Sequence, residues 1–142
     1  MIAYLDTSAL VPLLVAEPTS ARCRDVWDES DTVLTVELTL VEAAAALARA
    51  QRMNRVSSVQ HRESLGRLHE LWDQLIALPI DTTLIHTAAD LAAVHRLRGY
   101  DAVHCAAALQ HADSGVVATA GDRELLDAWH EAGLAVVDVA AS

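Results

Sequence analysis

The sequence has no lysine, since all ten basic residues are arginine. This excludes mechanisms that need an amine side chain, such as Schiff-base formation or a lysine paired with a phosphoryl group. Phenylalanine is absent too, and three tryptophans and two tyrosines are the whole complement of large aromatics. A hydrophobic fraction of 53% built without Phe rests on Ala, Leu and Val, which suits helices packed closely on a sheet. Apolar runs long enough for a membrane span, roughly 18 residues, are missing, as are a basic N-terminal region and a cleavable signal pattern. The expectation is a cytoplasmic protein with no membrane partner. Cys23 and Cys105 lack metal-ligand spacing and are too few for a disulfide framework, so both are expected as free, buried thiols. Positive charge is scarce: the net charge of -10 argues against broad adhesion to nucleic acid but suits carboxylates that gather divalent cations.

The 142 residues fit one domain, 1–142, and the pattern along them alternates. Ile2 to Leu5 reads as a strand, and Asp6-Thr7-Ser8 ends it and caps a helix beginning near Ala9. Pro18, Thr19 and Ser20 lead into a helix from Ala21 to Glu29, Thr32 to Thr35 is a strand, and Leu38 to Met53 is helix of high propensity. Ser57 and Ser58 open an amphipathic helix whose apolar face runs from Leu65 to Ile76; Pro79 closes it near a strand at Leu78 to Ile80. Asp81 to Thr83 cap a helix reaching Gly99. Helix Asp101 to Ala112, strand Val116 to Thr119, helix Asp122 to Ala132 and strand Leu134 to Val139 follow, with disorder expected only at Ala140 to Ser142. Alternation of this kind predicts an α/β fold, a parallel sheet of about five strands between helical layers, with ligands outside the carboxyl ends of the strands.

Four acids stand where packing explains them poorly. Asp6 follows the first strand, Glu42 lies on an otherwise apolar helix face with Leu38, Val41 and Ala45, Asp101 opens a helix, and Asp122 follows a strand. Taken singly, Asp6, Asp101 and Asp122 are adequately explained as helix caps worth about 1 kcal/mol each. Gathered at one sheet edge, the four would repel one another unless a cation neutralised them. Oxygen donors without His or Cys suit Mg²⁺ or Mn²⁺, and ions so held support phosphodiester hydrolysis.

Three stretches carry a family resemblance. Leu5-Asp6-Thr7-Ser8-Ala9-Leu10, Leu40-Val41-Glu42 with its helix ending near Arg49, and Arg98-Gly99-Tyr100-Asp101-Ala102-Val103-His104-Cys105-Ala106-Ala107-Ala108 resemble the motifs of PIN-domain nucleases. Over nearly the whole chain the pattern is similar to the VapC toxins of bacterial toxin-antitoxin modules. The resemblance implies a PIN fold and a Mg²⁺-dependent endoribonuclease, usually a homodimer, held inactive by a VapB-type antitoxin that inserts a segment into the active-site groove. It carries Asp6, Glu42 and Asp101 over as metal-binding acids, Ser8 as a supporting hydroxyl, and Asp122 as the fourth acid. Asp122 departs from the family pattern, because Ala120 and Gly121 both separate it from Thr119 where one residue is usual. Direct metal contact and contact through water are both open for it.

Arg49, seven residues after Glu42, projects from nearly the same face about 10 Å along the axis and is a candidate for an RNA phosphate; a solvated helix end explains it equally well. His104 reads better as a hydrogen-bonded core histidine than as a general base. The three tryptophans read as helix packing, with Trp72 suited to a dimer surface if exposed. Phosphoaspartate chemistry, which also places Asp at strand ends, wants the missing lysine. The remaining rival is a non-catalytic binding or regulatory module in which the acids are caps or a cation clamp.

Overall fold

A computed structural model describes residues 1–141. Five strands, β1 (Ile2–Leu5), β2 (Thr32–Val36), β3 (Ile76–Leu78), β4 (Val117–Ala120) and β5 (Ala135–Asp138), form one sheet in the order β3-β2-β1-β4-β5. Every pairing is parallel, as helix-linked strands require. Seven helices cover it: α1 (Thr7–Leu10), α2 (Ser20–Glu29), α3 (Leu38–Arg52), α4 (Ser58–Gln74), α5 (Thr82–His95), α6 (Gly99–Leu109) and α7 (Arg123–Glu131). This is the α/β fold expected from the alternation.

The sheet is buried on both faces, and period-two alternation sends neighbouring side chains into different cores. Ala3, Leu5 and Val33 join Leu10, Leu47 and Leu68 in one cluster. Tyr4, Leu34, Ala118 and Ala120 join Leu84, Cys105 and Trp129 in the other. Both cysteines are free and buried, and burial pushes each thiol up to about 11. No helix among the described residues is long and apolar enough to cross a membrane.

Several boundaries differ from the sequence pattern. The apolar run after Trp72 leaves the helix at Leu75, whose backbone is already extended, so the edge strand is Ile76–Leu78 and not Leu78 to Ile80. Helical spacing and strand alternation are indistinguishable over so short a run; pairing with Leu34, Thr35 and Val36 decides the matter. Helix α5 stops at His95, four residues short of Gly99, because Arg96 takes the left-handed conformation at φ 55°. That moves the start of α6 back to Gly99 and places Asp101 in its first turn, where it is not the cap. Ala140 is held in a turn by its N–H to Asp138 Oδ1 at 2.9 Å, against the expected disorder there; Ser142 lies outside the described residues.

The chain builds β1, β2 and β3 outward in one direction, then returns to lay β4 on the other side of β1. The crevice at the carboxyl ends of β1 and β4 is the topological switch point where such sheets bind ligands.

Candidate active site

Asp6 stands at that switch point. Its backbone N–H reaches across to Thr119 O at 3.1 Å, and its carboxylate caps α1 by accepting from Ala9 N at 3.1 Å. Ser8 Oγ donates to the same Oδ1 at 2.7 Å and accepts from Gly121 N at 2.8 Å, tying the end of β1 to the end of β4. Asp6 is 5% exposed, and burial pushes its carboxyl up to about 6. His104 and the bonds from Ser8 and Ala9 oppose the rise, while Asp122 adds to it.

Glu42 comes from α3 on the neighbouring layer, and the site holds it from two sides. Thr7 Oγ1 donates to Glu42 Oε1 at 2.7 Å, and His104 Nε2 lies 2.7 Å from the same oxygen. The other ring nitrogen, Nδ1, is 2.7 Å from Tyr4 Oη. Burial, reinforced by Asp6 and Glu42, raises the Tyr4 hydroxyl well above its ordinary value, so it remains a donor. Tyr4 Oη and Nδ1 share this hydrogen bond, and because an ionised carboxylate only accepts, Nε2–H donates to Glu42. Burial works against the ionised form of Glu42, but the bonds from His104 and Thr7 outweigh it and hold the carboxyl below its ordinary value.

The reason for Glu42's position differs from the one its neighbours suggested. Leu38, Val41 and Ala45 do not form a core face: Val41 is 61% exposed, and the buried face of α3 is Thr39, Ala43, Leu47 and Ala50. Glu42 sits at the margin between the two.

Asp101 and Asp122 complete the rim. Asp122 caps α7 by accepting from Leu125 N at 3.2 Å. Asp101 caps nothing; the residue before α6 is Arg98, whose Nε donates to Asp101 Oδ2 at 3.4 Å and whose Nη2 lies 3.9 Å from Asp122 Oδ2. Burial first and Asp122 second raise the Asp101 carboxyl, with Arg98 and His104 opposing. A carboxylate raised by a like charge across a cleft is an incomplete electrostatic arrangement that a cation would finish.

Asp6, Ser8, Glu42, Asp101 and Asp122 thus line one cleft of about 370 Å³. Arg49 does not line it; the side chain is exposed, with Nε 3.4 Å from Met53 Sδ. Residues that the sequence pattern did not single out as part of the cleft are Thr7, which holds Glu42, Arg98, which bridges two acids, and Glu17, on the wall. The Asp-Thr-Ser run was the available signal for Thr7. His104 is a core residue, 2% exposed, as its place in α6 suggested, yet it also reaches the cleft. Trp72 is half-buried against the cluster of Leu10, Leu47 and Leu68, so packing accounts for much of its surface.

Among the described residues no three His, Cys, Asp or Glu side chains are grouped tightly enough to hold an ion unaided. Mg²⁺ keeps several waters and takes one or two carboxylates directly, so an open acidic rim fits it where a closed protein cage would not. The donor set is all oxygen, as that ion prefers.

The PIN domain family model matches residues 3–129. Ribonuclease VapC45 of Mycobacterium tuberculosis (strain CDC 1551 / Oshkosh) is 35% identical over 135 residues, covering 95% of this chain and 94% of that protein. Among solved structures, VapC20 of Mycobacterium tuberculosis, a sarcin-ricin loop cleaving toxin, superposes with a TM-score of 0.70 at 18% identity over 96% of this chain and 98% of that one. A toxin-antitoxin complex from Klebsiella pneumoniae gives a TM-score of 0.67 at 16% identity over 96% and 97% of the two chains.

Proposed function

The chain belongs to the PIN-domain family, and from that premise we propose that it is a metal-dependent endoribonuclease, the toxin of a toxin-antitoxin pair, acting as one PIN domain over residues 1–142. The observation that carries this reading is the convergence of Asp6, Glu42, Asp101 and Asp122 on one cleft at the switch point of the sheet. Capping accounts for Asp6 and Asp122 alone. Asp101 and Glu42 have no such structural role, which weighs against the non-catalytic alternative.

In this reading Asp6, Glu42 and Asp101 hold Mg²⁺, or Mn²⁺ in its place, and Asp122 assists directly or through water. When bound, the ion supplies Lewis-acid polarisation of a phosphate and a water of lowered pKa. The chain's own part is positioning. Thr7 and His104 keep Glu42 ionised and aimed, Ser8 orients Asp6, and Arg98 offers its guanidinium to charge at the rim. Arg49 binds a neighbouring RNA phosphate. A VapB-type antitoxin silences the enzyme by presenting a cation to the acidic cleft, and the toxin works as a homodimer. Relatives named ribonucleases support the nuclease reading, and the fold shared with a toxin-antitoxin complex supports an antitoxin partner.

The test is cleavage of a mixed-sequence RNA pool by antitoxin-free protein. Activity should require Mg²⁺ or Mn²⁺, stop with chelator, and vanish in an Asp6→Asn control purified in parallel. Cleavage that survives both chelator and Asp6→Asn belongs to a contaminant and removes the proposal's support.

A further inference from the structure

Beside the acidic cleft lies a second cavity of about 360 Å³, lined by Leu38, Val41, Ala45, Tyr100 and Glu42. Glu42 borders both spaces, so the cavity and the cleft adjoin at its side chain. Apart from Glu42 and the Tyr100 hydroxyl its walls are apolar. Tyr100 is 65% exposed and Val41 61%. Such surface next to four carboxylates is unexplained by folding, since the core face of α3 is the opposite one.

We infer that this slot is a nucleobase subsite, in which Tyr100 stacks on the base flanking the cleaved phosphate. The inference rests on the ribonuclease reading and deepens it. Two features of the slot choose the occupant. Its only formal charge is that of Glu42, and Asp101 follows Tyr100 in the chain, so a phosphate is repelled while an uncharged planar base is not. An exposed aromatic ring presents a π-face to a single-stranded base, the common platform for RNA strands. With the backbone drawn to the cleft, the adjoining base has an apolar surface to cover.

Specificity follows from the same chemistry. Glu42 Oε1 is already engaged by Thr7 and His104, and the other walls offer little hydrogen bonding, so bases are sorted by stacking area. Purines should therefore be preferred to pyrimidines at this position.

The experiment uses a single-stranded RNA oligonucleotide carrying a site that the wild-type protein cuts in a mixed-sequence pool. Binding is measured by fluorescence anisotropy with Mg²⁺ in the cleavage-silent Asp6→Asn background. Adding Tyr100→Ala should weaken binding tenfold or more, the scale of one base-aromatic stack, and Tyr100→Trp should restore it. An abasic nucleotide beside the cut should cost the same factor with Tyr100 present and almost nothing with Tyr100→Ala. Unchanged binding in Tyr100→Ala, or an abasic penalty that survives it, overturns the inference while leaving cleavage intact. Loss of binding accompanied by a changed oligomeric state on size-exclusion chromatography overturns it in favour of a second copy covering the slot. Absence of any metal-dependent cleavage by wild type is a different failure, that of the ribonuclease reading itself.

Discussion

His104 reaches from the core, 2% exposed, to hold the cleft residue Glu42 through a 2.7 Å hydrogen bond to Oε1, and is itself held from behind by Tyr4. The Tyr4 ring packs edge-on against both His104 and Trp129, with centroid separations of 6.0 and 5.8 Å. The orientation of a rim carboxylate is thereby anchored in the aromatic centre of the larger core.

Cutting this link should damage folding and activity together. His104→Ala leaves the buried Tyr4 hydroxyl without its partner and deprives Glu42 of a donor, at about 1–3 kcal/mol for each polar group left unsatisfied. Cleavage should fall tenfold or more. His104→Gln, which retains a donor, should recover part of both. Urea unfolding beside cleavage rates checks this, and a stable, fully active His104→Ala would show that Glu42 needs no support from the core.

Asp6 should make the metal-free protein less stable as pH rises from about 4 to about 6. Its folded value is raised from 3.8 to about 6, so the native state holds more protons than the unfolded state across that window and stability falls with increasing pH. The loss is at most about 3 kcal/mol from a shift of this size. Glu42 acts in the opposite sense below its ordinary 4.5, where its contribution is lost as pH falls through the lowered folded value. Asp6→Asn keeps an oxygen for the α1 cap and should flatten the upper window. Denaturant melts across pH with chelator present read the slope; an equal slope in both proteins would contradict the assignment.

Asp101 separates metal binding from folding. Because it caps nothing and is raised partly by Asp122, Asp101→Asn should leave metal-free stability unchanged or slightly higher, less a small loss from its exposed partner Arg98. Activity should collapse. Mg²⁺ should raise the wild-type melting temperature by mass action, and Asp101→Asn should shrink that increment. Thermal melts with and without Mg²⁺ decide, and an active variant with an undiminished metal response takes Asp101 out of the site.

Arg49 is exposed, stands outside the cleft and has its Nε 3.4 Å from Met53 Sδ, so Arg49→Ala should spare stability and metal response. If it holds an RNA phosphate, binding weakens and the slope of log affinity against log salt drops by about one counterion. An unaltered slope assigns Arg49 to the solvated end of α3.

The sequence by itself determined the element order, the parallel sheet and the placing of Asp6 and Asp122, because strand ends and caps are written in local residue types. Missing lysine narrowed the chemistry in the same way. Only the tertiary structure decided how Glu42 is held. Its local neighbours Leu38, Val41 and Ala45 suggested a buried apolar face, yet Val41 and Ala45 are exposed, Leu38 is only partly buried, and Glu42 is fixed by Thr7 and His104, 35 and 62 residues away. The extent of Asp101's structural duty was decided the same way, by the left-handed Arg96 that ends α5 early and lets α6 begin at Gly99. Ile76, read from the sequence as the end of a helix face, became strand only through pairing with β2. Local propensity reads along the chain. Hydrogen bonds and burial between distant segments depend on which faces the sheet brings together, and no window of sequence contains that information.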